Sequence, residues 1–187
     1  MSRKRRIWLT MGGLFLALAV AGALVFQPWL LFIDKEVDDG ADASEVVGTA
    51  SAGISDTTVP EPSGTTKTRV ELASGSFIDA EHGTSGEARI FRRSDGSRFV
   101  LLDGLDTSNG PDLHVWITDQ KSGGDCDGCV GSWSNYDDGD YVKLGELKGN
   151  KGSSRYEIPA DADLGGMKSV VIWCDKFNVA FGTAAIA

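Results

Sequence analysis

Three cysteines, two histidines and three methionines are all that 187 residues provide of the softer metal ligands. A four-cysteine zinc site is therefore excluded by count. The cysteines with His82 and His114 could furnish one mixed site, yet no second pair stands at zinc-finger spacing. The chain also lacks a G-x-S-x-G elbow and a nucleophile with a placed base, so no hydrolytic or transferase motif is present. Long helical patterns are few. With 24 glycines and 41% hydrophobic residues, the composition leans toward strands joined by tight turns.

Charge is missing in places too. No acidic residue precedes Asp34, and no charged side chain of either sign occurs from Ile7 to Ile33. Arg3, Lys4, Arg5 and Arg6 carry the basic charge ahead of that run, so the chain-wide net of −9 becomes −13 beyond it. So acidic a surface repels phosphate backbones and anionic headgroups, which argues against nucleic acid as a partner.

These absences divide the chain. Residues 1–6 read as a cytoplasmic basic tail and residues 7–33 as an uncleaved transmembrane anchor, because IWLTMGGLFLALAVAGALVF alone offers the length of about 20 residues that a bilayer core demands. The basic cluster before the run and Asp34, Glu36, Asp38 and Asp39 after it place the N-terminus inside. The expectation is thus a single-pass protein of the cell membrane, partnered to it by its own helix, with an extracytoplasmic C-terminal domain. A cleaved signal peptide ending near Ala21, Gly22 and Ala23 competes, but the apolar character continues through Leu24, Val25, Phe26 and Trp29. Residues 34–68 are rich in Ser, Thr, Ala, Gly, Pro and acid and lack the aromatic residues a core needs, the composition of a flexible tether.

Residues 69–187 alternate short apolar runs with turn signals. Glu87 to Arg93 and Ser97 to Asp103 flank Ser94, Asp95 and Gly96 as a hairpin, and Asn109, Gly110, Pro111 and Asp112 form another turn. Leu113, Val115 and Ile117 alternate with His114, Trp116 and Thr118 as a strand. Further strands are expected at 141–144, 155–158, 169–174 and 177–186. The run Val170, Val171, Ile172, Trp173 is apolar on both parities, as in a strand buried on both faces. An all-β fold follows, an antiparallel Ig-like β-sandwich of about eight strands, preceded by one transmembrane helix.

Three strings taken together resemble the DM thirteen domain. They are GPDLHVWIT from Gly110 to Thr118, YVKLGELKGNKGSSRYEIP from Tyr141 to Pro159, and SVVIWCDKFNVAFGTAAI from Ser169 to Ile186. Gly75, Phe77, Gly83, Gly86 and Ala88 are similar to that family's opening segment. The resemblance implies an extracytoplasmic β-sandwich with one nearly invariant cysteine, here Cys174, and a redox or electron-transfer role. It also implies an extracytoplasmic or redox partner protein. The segment Gly123 to Gly131 departs from the family pattern and reads as an insertion.

For chemistry, Cys174 is the candidate working group if the resemblance holds, whereas its apolar neighbours Ile172 and Trp173 would by themselves make it a small inert core residue. Asp175 disfavours a thiolate and Lys176 favours one. Cys126 and Cys129, in a polar Asp/Gly loop, are candidates for a disulfide with each other. Asp125 and Asp127 beside them oppose a thioredoxin-like centre. His114 is the candidate cofactor ligand, with Met167 a conceivable second haem ligand. The spacing supports neither haem nor metal: Asp175, Lys176, Phe177 and Asn178 follow Cys174 where a cupredoxin would place His and Met. Asp119, Asp125, Asp127, Asp137, Asp138 and Asp140 lack EF-hand spacing and read as a solvated acidic loop. Two functions remain: a redox module centred on Cys174, and a non-catalytic binding module in which Trp116, Trp133 and Trp173 serve as core or contact residues.

Overall fold

The computed structural model describes residues 13–14, 16–24, 33–39, 69–124 and 132–186. Among the described residues nine strands follow one another: β1 Glu36–Asp38, β2 Arg69–Asp79, β3 Thr84–Arg93, β4 Arg98–Thr107, β5 Leu113–Thr118, β6 Tyr141–Glu146, β7 Lys151–Ile158, β8 Ser169–Cys174 and β9 Val179–Ala185. One short 3-10 helix, Ser132–Ser134, precedes β6.

The expected hairpin around Gly96 is β3–β4, with Arg92 opposite Arg98 and Phe91 opposite Phe99. Asp95 closes it by accepting the Ser97 amide at 2.9 Å, and Gly96 takes a φ of 86° that a side chain would oppose.

The sandwich is corrected. All nine strands belong to one sheet in the order β1-β7-β4-β3-β2-β9-β8-β5-β6, curled into a half-barrel rather than split into two packed sheets. The cause is β2, eleven residues long. Arg69 to Ser76 pair with β3, and Phe77 to Asp79 then pair with β9, so one bent strand serves both halves. At the bend Gly75 lies against the backbone of Ala185 with no room for a Cβ. Alternation shows which residues point inward, but not whether the strands facing one another belong to one sheet or two.

Curling brings the two halves together over one interior. Ile90, Val100, Leu102 and Tyr156 come from one side and Val115, Ile117, Val170 and Ile172 from the other. The outer faces are covered as well, which explains the apolar runs of both parities. Outside β5, β8 and β9, Trp116, Tyr136, Val171, Trp173 and Ala180 form an aromatic layer. Outside β3 and β4, Phe91 and Phe99 stack at 5.3 Å beneath guanidinium groups. Arg69 lies 4.5 Å from the Phe91 ring centre, and Arg93 and Arg155 lie 4.2 and 4.6 Å from that of Phe99. Such cation–π contacts contribute about 0.5–1 kcal/mol each near a surface and do the work of a second layer.

The N-terminal reading is also corrected. Among the described residues no helix is long and apolar enough to cross a membrane. The described helical residues of 7–33 are 13–14 and 16–24, and the others of that run except Ile33 lie outside the described residues. An uncharged run is necessary for a span, but only a continuous helix of about 20 residues reaches across. The anchor, the membrane as partner and the single-pass, extracytoplasmic localisation built on it therefore lose their support.

Residues 34–39, read as the start of a tether, join the sheet. β1 pairs parallel to β7, with Val37 opposite Gly152. Asn150 holds the segment by accepting the Lys35 amide at 2.7 Å and donating to Asp34 at 2.8 Å. Residues 40–68 lie outside the described residues.

Candidate functional site

Cys174 ends β8, a strand that is buried along its whole length, and its side chain joins the interior core with no exposure. The next four residues turn the chain into β9, and Asn178 takes a φ of 52°, in the left-handed region that asparagine tolerates better than most residues. The turn folds back on the sulfur: the backbone amides of Phe177 and Lys176 donate to Cys174. Burial pushes the thiol pKa up, the two amides pull it down, and the Asp112 and Asp175 carboxylates push it up again. The net direction is upward, so at neutral pH the group is a thiol. Among the described residues it is a free cysteine.

One cleft borders this turn, and a second, sharing Pro111 with it, lies along the loop Asn109 to Asp112. The loop is held close by the Asp175 amide, which donates to the Asp112 carbonyl at 3.0 Å. It also packs tightly on the core, because a Cβ at Gly110 would meet the Phe181 ring at 3.0 Å. The larger cleft, of 410 Å³, is lined by Glu81, His82, Pro111, Ser134, Phe177, Val179 and Phe181. Its His82 ring lies 3.9 Å from the Phe181 ring, and burial holds the imidazole pKa below its ordinary value against the pull of Glu81. Phe177, one of the two amide donors, is half exposed at its rim. The smaller cleft is polar and lined by Asn109, Asp112, Glu146 and their neighbours.

His114 is placed elsewhere. In the β5–β8 register Leu113 faces Cys174 and His114 faces Trp173, so the imidazole and the sulfur project from opposite faces of the sheet. His114 Nε2 lies 3.0 Å from Asp112 Oδ1 and 3.5 Å from Asp175 Oδ2, a carboxylate setting at the surface. Met167 packs on the interior core beyond the far end of the strand pair, next to Lys168, whose amide reaches the Thr118 carbonyl. From Thr118 to His114 is roughly 13 Å at about 3.3 Å per residue. The two are not brought together. Among the described residues no group of three His, Cys, Asp or Glu side chains is placed to hold a metal ion. Cys126 and Cys129, the disulfide candidates, lie outside the described residues, as do Asp125 and Asp127.

Sequence reasoning treated His82 only as a spare ligand, and it overlooked Tyr136 and Tyr141. Nothing in the polar turn around His82 signals that it folds onto Phe181 of β9. For Tyr141 a signal existed in the pairing of β6 with β5, but only once the register was known; for Tyr136, in a loop, there was none.

The outer aromatic layer is continuous. Tyr141 stacks on Trp116 with centroids 4.5 Å apart and planes within 11°. Trp116 meets Trp173 at 5.0 Å, and Trp173 meets Tyr136 edge-on at 6.3 Å. Lys143 lies 4.4 Å over the Trp116 ring and 3.4 Å from Asp175.

No curated protein and no solved structure matches this chain. The family model described as electron transfer DM13 does, over residues 76–186, which leaves out β1 and the first seven residues of β2 and includes the whole Cys174 turn. By that match, covering more than half of its length, the chain belongs to the electron transfer DM13 family.

Proposed function

We propose that the domain is an electron-transfer module in which Cys174 is the working group. The observation that carries this reading is the pair of amides from Lys176 and Phe177 directed at a buried sulfur. A packing cysteine has no need of donors. A sulfur that must carry negative charge, as a thiolate or as a ligand, is stabilised by them, and the family's description points the same way. The neutral thiol is then the resting form, and burial keeps it from adventitious oxidation.

Voltammetry, visible absorbance, metal content and thiol titre of the full chain and of Cys174→Ala test it. A couple or chromophore that disappears in Cys174→Ala while the fold survives supports the assignment. A wild-type chain with no couple and a thiol that reacts only after denaturation would overturn it. The non-catalytic binding module is the second reading, favoured by the apolar cleft with half-exposed Phe177 at its rim. It predicts that Phe177→Ser weakens a binding event while leaving any redox signal intact.

A further inference from the structure

We infer that Trp173, Trp116 and Tyr141 form a relay that carries single electrons between the surface and the Cys174 end of β8. This deepens the electron-transfer reading and rests on it for its physiological purpose, though not for its test.

The relay crosses three neighbouring strands. Tyr141 on β6, Trp116 on β5 and Trp173 on β8 are diagonal neighbours on one face of the sheet, with rings in contact at 4.5 and 5.0 Å. Stacked π-systems at contact distance overlap, so an electron can step from ring to ring without crossing a saturated gap. The inner end, Trp173, is the residue bonded to Cys174. The outer end is open: Tyr141 is 39% exposed, against 2% for Trp116 and 1% for Trp173.

Proton availability gives the relay a direction. Oxidised indole ordinarily sheds its Nε1 proton, but Trp116 Nε1 is buried with no hydrogen-bond partner among the described residues, so none of them stands ready to take it. A vacancy on Trp116 remains a positive charge on the ring and moves on. The Lys143 ammonium over that ring makes the charge costly, with partial relief from Asp175 beside the ammonium, so Trp116 passes the vacancy rather than storing it. Tyr136, the fourth ring, is fully buried, and its hydroxyl accepts the Gly124 amide at 2.9 Å. It has no exposed surface at which to shed a proton, and burial raises its pKa against hydrogen bonds with the Thr183 side chain and the Gly124 and Gly123 amides. Tyr141 has water at hand.

The steps balance as follows. A one-electron radical oxidant, itself reduced to its anion, takes an electron from Trp173. Trp116 refills Trp173, and Tyr141 refills Trp116. Tyr141 loses its phenolic proton to water and becomes a neutral phenoxyl radical. A hydroquinone-type reductant in solution then returns one electron and one proton to Tyr141.

The test supplies its own oxidant. In the full chain carrying Trp8→Phe, Trp29→Phe and Trp133→Phe, azide radicals from pulse radiolysis oxidise the two remaining tryptophans, and indolyl and phenoxyl absorbance are followed in time. The expected result is first-order conversion of indolyl to phenoxyl at a rate independent of protein concentration. Tyr141→Phe, which removes only a hydroxyl from a partly exposed ring, should abolish the phenoxyl and prolong the indolyl signal. Trp116→Phe should abolish the fast intramolecular phase, while Tyr136→Phe should behave as the parent. Persistent phenoxyl in Tyr141→Phe, or a conversion whose rate scales with concentration, overturns the relay. Because no native couple is needed, a silent Cys174 in voltammetry leaves this readout intact, and the two readings fail separately.

Discussion

His114 and Cys174 sit on adjacent strands one residue out of register, and their side chains leave the sheet on opposite faces. A ligand held by both would have to reach through the sheet. Any partner for the sulfur must instead come from the β8–β9 turn or from the interior, where Leu113, Val179 and Phe181 surround it with hydrocarbon.

The first expectation follows from that separation. Cys174→Ala should cost about 1 kcal/mol, the scale of losing one small buried group, and His114→Asn should leave the reactivity of the Cys174 thiol unchanged. Urea titrations and the rate of thiol labelling in the native state measure both. Labelling of the wild type should be slow until the protein opens, because the thiol is fully buried and its pKa is raised.

A second concerns the turn itself. At its φ of 52°, Asn178 should accept glycine with little change, whereas Asn178→Val should destabilise by about 1–2 kcal/mol. If the turn also positions the two amides, Asn178→Val should raise the thiol pKa further, readable as slower alkylation at high pH.

Gly75 provides the third. Its missing side chain lets the bent strand β2 lie on Ala185, and Gly75→Ala forces backbone apart at the junction of the two halves. A loss of roughly 3 kcal/mol is expected, visible as a lower urea midpoint.

The fourth is a pH dependence. The folded His82 pKa lies below the ordinary value of 6.5, so the unfolded chain takes up the proton first as pH falls. The associated stability is fully present above about pH 6.5 and declines as pH drops below it toward the folded value. His82→Gln should flatten thermal stability across that window. The Glu157 carboxyl, held low by Arg93, acts in a separate range: its contribution is present above 4.5 and is lost at more acid pH.

Much of this was legible in residues. Asp95 and Gly96 announce their hairpin, Pro111 its turn, and the alternation from Leu113 to Thr118 a strand. The single sheet was not legible, because sharing β2 between two halves depends on a bend whose only trace is one glycine. Burial of β8 on both faces was legible in its apolar run, but that Tyr136, in a loop, forms part of its outer cover was not. Counting uncharged residues pointed to a spanning helix, whereas among the described residues no helix is long and apolar enough to cross a membrane. For the site, the family resemblance singled out Cys174, whereas the amides at its sulfur and the stacking of Tyr141 on Trp116 depend on a turn geometry and a register that spacing does not encode.

Strand β1 is only three residues long, yet it lies where β7 would otherwise end the sheet with unpaired amides and carbonyls. Gly149 and Gly152 leave a slot whose floor would collide with Lys35 and Val37 if either carried a side chain. A slot shaped for bare extended backbone selects for main chain rather than for side chains, so a second molecule could fill it as readily as residues 36–38 do. A chain stripped of residues 34–39 would expose an adhesive rim, and concentration-dependent association, read by sedimentation, is the behaviour to expect of it. The short upstream segment is thus a guard against self-recruitment, positioned well before the region that carries the family's own pattern.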